Sequence, residues 1–154
     1  MTRAAQVPAW LRVVREPLSP LECEALAAGE GRIRTPAAIF GLLRGRLECE
    51  LQEVFVVASL DTQSRVIALH EVTRGLLNAS LVHPREVFAP ALVDRAAGII
   101  IAHNHPSGDP IPSADDRAVT RQLVEAGRLL DIPVYDHVVI GAGRYVSFAE
   151  AGLL

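Results

Sequence analysis

Lysine is absent from this chain, and all 15 of its basic residues are arginine. The formal net charge of −3 excludes a general electrostatic attraction to nucleic acid, although a local basic face is left open. Two cysteines are present, Cys23 and Cys49, which are too few for a disulfide framework and lack metal-ligand spacing. No apolar run reaches membrane-spanning length, and the N-terminus lacks the apolar core of a signal peptide. We therefore expect a protein of the reducing cytoplasm that does not enter a membrane.

Half of the 154 residues are hydrophobic, which is enough to build one domain with a substantial core. Helix start signals, each a Ser or Thr N-cap followed by Pro, stand at Ser19 and Thr35. Short apolar runs bounded by turn residues predict strands, and longer runs with helical spacing predict further helices. The predicted helices are 19–29, 35–49, 84–95 and 113–130, and the predicted strands are 53–60, 66–73, 76–82, 98–102, 133–140 and 144–148.

This order of elements predicts an α/β or α+β fold in which one mixed sheet lies between helices. Residues 1–48 are expected to form an N-terminal arm and helices, with Trp10 of the arm packed on the main domain. Residues 49–154 are expected to form that domain, since no linker rich in Pro or Ser divides them.

An apolar strand that ends in two histidines carries the strongest signal for chemistry. His103 and His105 stand two residues apart, so their side chains point to the same face of the strand, while Asn104 points away. A loop rich in Pro and Gly follows, and Ser113 and Asp116 then open a helix. Two converging imidazoles and a nearby carboxylate are the ligands of a catalytic zinc site with one open position. The structural alternative is a pair of core histidines, with Ser113 as N-cap and Asp116 as a first-turn acid.

A zinc hydrolase also needs a carboxylate that moves a proton from the attacking water to the leaving group. The candidates are Glu53, Glu71 and Glu86. Glu53 stands at the beginning of a core strand, an unusual place for a charge, although a strand-edge glutamate is usually just solvated. A further donor has to stabilise the oxyanion, and the hydroxyl of Ser113 is the candidate.

The residues His103-Asn104-His105-Pro106, followed by Ser113 and Asp116, resemble the JAMM signature: His-x-His-Pro, six residues, Ser, two residues, Asp. The longer string H-N-H-P-S-G-D-P-x-P-S-x-x-D is similar to the bacterial RadC family, which belongs to the MPN/JAB metalloprotease-like group. Further agreement runs from about residue 35 to the C-terminus, at 60–63 (LDTQ), 84–87 (PREV), 123–130 (LVEAGRLL), 136–137 (DH) and 147–150 (SFAE).

This resemblance implies a single MPN/JAB-like domain with a cytidine-deaminase-like layout. It implies that His103, His105 and Asp116 bind Zn²⁺. Ser113 would assist the oxyanion, and Glu53, in its Glu-Val-apolar setting, would activate the water. The implied reaction is hydrolysis of a peptide or isopeptide bond in a protein or peptide substrate, often at the tail of a ubiquitin-like protein.

The chain resembles a short form of the family that lacks the N-terminal helix-hairpin-helix region of full-length members. That region is associated with DNA binding and the family name with DNA repair. The alternative function is therefore a DNA-binding or DNA-processing protein in which the same site is regulatory or acts on DNA. Arg117, Arg121 and Arg128 fall on one side of a predicted helix and could face phosphate, but such a stripe is more often a solvated face. A catalytically silent scaffold is the third hypothesis, and a homodimer is left open.

The other histidines have structural alternatives. His137 lies near the site in the expected fold, and it either orients a metal ligand or is a satisfied core histidine. His70, in a predicted hairpin, and His83, before a helix, are expected to be structural or exposed. His83 could also cap the helix that begins at Pro84.

Overall fold

A computed structural model describes residues 18–75 and 82–154 of the chain, which form four helices and five strands. The helices are α1 (Pro20–Ala28), α2 (Pro36–Leu47), α3 (Pro84–Val93) and α4 (Ala114–Leu130). The strands are β1 (Val54–Leu60), β2 (Val66–Arg74), β3 (Gly98–Asn104), β4 (Val134–Ile140) and β5 (Tyr145–Ser147). The predicted arm up to residue 17, including Trp10, and residues 76–81 of a predicted strand lie outside the described residues.

The five strands form one mixed sheet in the order β2-β1-β3-β4-β5. β1 pairs antiparallel with both β2 and β3, β3 pairs parallel with β4, and β4 pairs antiparallel with β5. The parallel pair requires a crossover, and α4 supplies it by returning the chain from the end of β3 to the start of β4. The sheet and its helices confirm the predicted α+β class.

Helices cover the sheet on both faces, so β1 and β3 are buried along their whole length. Alternate residues of these strands face different helices. One core joins α2 to Val54, Val56, Ile100 and Ala102. The other core joins α3 and α4 to the residues between them on each strand: Phe55, Val57, Ile99 and Ile101. Continuing the alternation places His103 on the face covered by α3 and α4.

The N-terminal helices are tied to this sheet. Ser19 and Glu22 form the predicted capping box of α1. The buried Glu22 carboxylate also accepts from Arg46 of α2, with Arg46 Nε to Glu22 Oε1 at 2.6 Å. α2 packs in the same core as β1 and β3. The domain boundary placed between residues 48 and 49 stays a prediction. Among the helices of the described ranges, none combines the length and the apolar composition needed to cross a membrane.

Candidate metal centre

Both histidines of the motif lie at the carboxyl end of β3. His103 is the next-to-last residue of the strand, and His105 follows its last residue. The backbone N–H of His105 donates to Ile140 O at 2.8 Å, which keeps the chain beside β4 after β3 has ended. The chain then turns, since Gly108 donates to His105 O at 2.9 Å with a φ of 83°, a conformation that favours glycine. The carboxyl end of a strand before a crossover helix is a common place for ligand sites.

Asp116 reaches the histidines from the first turn of α4. Ser113 is the N-cap of that helix: its Oγ accepts from Asp116 N at 3.1 Å, and its own N–H donates to Asp116 Oδ2 at 2.7 Å. This capping box fixes the direction in which the Asp116 carboxylate points. The structural and the metal-binding interpretations of Asp116 are therefore compatible, because the cap holds the carboxylate against the histidines.

Three side chains bring their donor atoms to one point. His103 Nε2 lies 3.0 Å from His105 Nε2, and Asp116 Oδ1 and Oδ2 lie 3.1 Å and 3.2 Å from these two atoms respectively. Zinc ligands at tetrahedral corners, with bonds of about 2.0–2.1 Å, are about 3.3–3.4 Å apart. The observed spacing is close to that value, and the two imidazoles and one carboxylate are donors that zinc prefers. The group His103, His105 and Asp116 could therefore hold a metal ion.

The ring of His105 presents a lone pair to this point. Its Nδ1 lies 2.8 Å from Asp109 O. A carbonyl oxygen only accepts, so Nδ1 carries the hydrogen, and the neutral ring has its lone pair on Nε2. A backbone carbonyl on the far nitrogen is a usual way to orient a ligating histidine.

The ionisable groups of the site shift one another's pKa values. The hydrogen bond with Asp116 raises the pKa of His105 against the opposing effect of burial, and the Asp109 carbonyl and the charge of Glu53 add to the rise. Burial raises the pKa of the Asp116 carboxyl, but its contacts with the imidazoles of His103 and His105 and with the N–H of Ser113 outweigh burial and hold that pKa well below its usual range. A metal ion needs the lone pair on His105 Nε2, so protonation of that atom would compete with metal binding.

Glu53 stands across from His105. It immediately precedes β1, in which Phe55 is paired with His103 of β3. Continuing this antiparallel register by two residues sets Glu53 opposite His105, on the same face of the sheet. Its side chain is half-buried, and its charge contributes to the raised pKa of His105. The structure thus brings Glu53 close to the candidate metal centre, whose first histidine lies 50 residues further along the chain.

The other two candidate carboxylates lie elsewhere. Glu71 is paired with Val56, which faces α2 and not the face of His103, and it accepts from Arg74 Nε at 2.8 Å. Glu86 is exposed on α3, with Arg85 Nε at 3.5 Å. Of the three glutamates that the sequence offered, Glu53 is the one placed beside the histidines.

The geometry of His137 is compatible with both of the roles that the sequence left open for it. His137 is fully buried, and burial lowers its pKa well below the ordinary value. Its Nε2 also lies 2.7 Å from His103 Nδ1, so it touches a proposed metal ligand. Its other nitrogen contacts Thr120, a residue that the sequence analysis did not identify. A threonine inside an amphipathic helix carries no local signal for such a role.

The two remaining histidines are away from this cluster. His70 is buried, and its Nε2 lies 2.6 Å from Asp94 Oδ2, in agreement with the structural role expected for it. His83 occupies the N-cap position of α3, but its side chain makes no capping hydrogen bond. The suggestion that the His83 side chain caps this helix was therefore wrong.

Comparison of the chain with known proteins identifies its family. A family model described as a RadC-like JAB domain matches residues 33–153. The chain belongs to the RadC family. It is similar to a UPF0758 protein of Trichlorobacter lovleyi, with 49% identity over 123 residues that cover 80% of this chain and 54% of that protein. A UPF0758 protein of Moorella thermoacetica is 44% identical over 154 residues, which cover all of this chain and 65% of the relative.

A third relative agrees with this assignment. The UPF0758 protein of Symbiobacterium thermophilum is 51% identical over 119 residues, which are 77% of this RadC-family chain and 51% of that protein. The chain thus spans about half to two thirds of the length of these curated relatives. The resemblance seen in the sequence motif is confirmed, whereas the roles of Glu53 and Ser113 stay predictions.

Proposed function

We propose that this RadC-family chain is a zinc-dependent hydrolase of the JAMM type that cleaves a peptide or isopeptide bond. The observation that carries the proposal is the convergence of His103 Nε2, His105 Nε2 and the Asp116 carboxylate at separations of 3.0–3.2 Å. A half-buried carboxylate, Glu53, stands beside this group. Ligands for one metal and an adjacent base are the parts that metal-assisted hydrolysis requires.

Each residue has a task in this reaction. Zinc, when bound, supplies a Lewis acid that polarises the scissile carbonyl and makes water a stronger acid. Glu53 takes the proton from the attacking water and passes it to the leaving amine. Ser113 donates its hydroxyl hydrogen to the oxyanion of the tetrahedral intermediate. The cap contact leaves that hydrogen available, because in it Ser113 Oγ accepts from Asp116 N.

The proposed substrate is a protein or peptide, with the tail of a ubiquitin-like protein as one candidate. We also propose a cytoplasmic location. Cys23 and Cys49 are both free and exposed, a state that a reducing compartment maintains.

Zinc analysis joined to a hydrolysis assay tests the proposed function. The probes are quenched fluorescent peptides, some linear and some branched through a lysine Nε. Wild type and the control variant His83→Ala should bind about one zinc per chain and hydrolyse members of this panel, whereas His105→Ala should do neither. A chelator should abolish the hydrolysis and added zinc should restore it. A wild-type chain that binds no zinc, or hydrolysis that survives in His105→Ala, would contradict the proposal.

A DNA-processing role is the second candidate, and it is favoured by the exposure of Arg117, Arg121 and Arg128 on α4, the helix that begins at the site. The donor set argues against it, since phosphoryl transfer usually employs oxygen ligands or two metal ions. Duplex DNA binding that weakens linearly with the logarithm of salt concentration, and weakens further in the double variant Arg117→Gln/Arg121→Gln, would support this candidate. No binding of duplex DNA at low salt would eliminate it.

A further inference from the structure

A line of hydrogen bonds runs from the backbone of α4 through the protein interior to the first proposed metal ligand. Thr120 Oγ1 lies 2.6 Å from Asp116 O and 2.6 Å from His137 Nδ1. His137 Nε2 lies 2.7 Å from His103 Nδ1. The exposed fractions of Thr120, His137 and His103 are 1%, 0% and 0%, so water does not compete for these contacts.

The direction of every hydrogen bond in this line follows from its first member. Asp116 O is a carbonyl and has no hydrogen, so the hydrogen in its contact with Thr120 is the single hydroxyl hydrogen. The Thr120 oxygen can then only accept from His137, and Nδ1 of His137 therefore carries a hydrogen. Complete burial disfavours an imidazolium, so Nε2 of His137 has a lone pair and accepts from Nδ1 of His103. In the neutral ring of His103 the lone pair is thereby left on Nε2, the atom that faces His105 and Asp116.

Aromatic packing keeps the His137 ring in the orientation that this line needs. Its ring is stacked on Phe148, with centroids 4.7 Å apart and an interplanar angle of 17°. Phe55 meets it edge-on at 5.7 Å and is itself stacked on His103 at 6.1 Å. A flip of the His137 ring would replace nitrogen by carbon at both hydrogen-bonding partners, so one ring orientation satisfies the whole line.

We propose that Thr120 and His137 are positioning residues that hold His103 in the tautomer with its lone pair on Nε2, and so raise the affinity of the site for zinc. The zinc part of this inference rests on the proposed function, whereas the tautomer is a property of the metal-free protein. Carboxylates, backbone carbonyls and water are the usual partners of a ligating histidine. In this chain the partner of His103 is a neutral histidine, His137. The acceptor for the His137 hydrogen is the hydroxyl oxygen of Thr120, whose own hydrogen is donated to the backbone of α4.

The tautomer is measured directly by long-range ¹⁵N–¹H correlation NMR on the full chain, with zinc removed and the pH well above the ordinary histidine pKa. The proposal predicts that His103 and His137 both carry their hydrogen on Nδ1. A wild-type spectrum with the His103 hydrogen on Nε2 overturns it. This measurement needs no variant, and it decides the proposal even when a substitution prevents folding.

A pair of substitutions at Thr120 distinguishes the effect of its hydroxyl group from the effect of its packing. Thr120→Val keeps the shape and removes the hydroxyl, whereas Thr120→Ser keeps the hydroxyl and removes a methyl group. In Thr120→Val, His137 loses the acceptor for its Nδ1 hydrogen and is free to place that hydrogen on Nε2, against His103. The zinc affinity of Thr120→Val, measured by competition with a chelating dye, should fall about 10- to 100-fold, the usual effect of removing a hydrogen-bond partner of a ligand. Thr120→Ser should bind zinc nearly as tightly as wild type.

A second pair tests the acceptor at residue 137. His137→Phe removes the acceptor for the His103 hydrogen and should weaken zinc binding, whereas His137→Gln offers its amide oxygen and should restore part of the affinity. Equal zinc affinities for Thr120→Val and Thr120→Ser, with the wild-type tautomer kept in both, would overturn the proposal. If the chain binds no zinc in any form, the proposed function fails, and the NMR measurement still decides the tautomer.

Discussion

Asn104 Oδ1 accepts the backbone N–H of Val54 at 2.7 Å, across 50 residues of sequence. The amide nitrogen of the same side chain donates to Gln52 O at 2.9 Å and to Glu50 O at 3.4 Å. These contacts hold the backbone on both sides of Glu53. The residue that separates the two histidines of the motif therefore points away from the metal centre and fixes the place where the proposed base stands.

Replacing Asn104 with alanine should lower both stability and turnover while zinc remains bound. The buried Val54 N–H loses its acceptor, which should cost about 1–3 kcal/mol in the free energy of unfolding measured with urea. Looser placement of Glu53 should lower the hydrolysis rate by about 10- to 100-fold. Ile39→Val, which trims a buried side chain of α2, is the control for destabilisation alone and should leave the rate unchanged. Equal rates for the two variants would contradict this role of Asn104.

The contribution of His105 to the stability of the metal-free protein should be lost as the pH rises above the ordinary histidine pKa of about 6.5. The pKa of His105 is raised in the folded state, mainly through Asp116, so its contribution is fully present below the unfolded value of about 6.5 and is lost as the pH rises through the higher folded pKa. The pKa of Asp116 is depressed, so its own contribution is lost only when the pH falls below about 3.9.

Urea unfolding with chelator present, at pH values on both sides of neutrality, measures this effect. The advantage of wild type over Asp116→Asn should be largest in mildly acidic buffer and should shrink as the pH rises. An advantage that stays constant from mildly acidic to mildly alkaline pH would show that the His105–Asp116 contact does not titrate as described.

Gly141→Ala should lower the zinc affinity, although Gly141 is not one of the candidate ligands. A Cβ at Gly141 would collide with Gly108 O and with the ring of Pro110, which belong to the loop that follows His105. Displacing that loop should destabilise the protein by about 1–3 kcal/mol and reduce zinc affinity. Gly41→Ala is the matched control: a Cβ there meets nothing within 4 Å, and the change should stabilise α2 by about 0.5–1 kcal/mol. Thermal unfolding and zinc titration of both variants check this, and unchanged zinc affinity in Gly141→Ala would contradict it.

Local patterns in the sequence were sufficient to predict much of the site. The spacing of His103 and His105 on a strand determines which face they share, and the capping residues Ser113 and Asp116 determine where the next helix begins. These are contacts between near neighbours along the chain. For that reason, strand ends, helix starts and the candidate ligand set could be proposed without knowing how the sheet is ordered.

Other parts of the site depend on contacts that no local pattern encodes. Thr120 reaches His137 across 17 residues, and Asn104 reaches Val54 across 50. The first pair meets because α4 packs against β4, and the second because β3 lies beside β1 in the sheet. The sequence suggested Glu53 by its unusual place at the start of a core strand, but its position opposite His105 follows from the register between β1 and β3.

The role proposed for Glu53 is to move the proton in a reaction at the His103, His105 and Asp116 site. Glu53→Gln keeps the size of the side chain and removes its basicity, and Glu71→Gln is the matched control at a glutamate on the other face of the sheet. Zinc content and hydrolysis of the quenched-peptide panel should be measured on the same preparations. Glu53→Gln should keep its zinc and lose about 10²- to 10⁴-fold in rate, while Glu71→Gln should behave as wild type. Hydrolysis at the wild-type rate by zinc-loaded Glu53→Gln would contradict this role of Glu53.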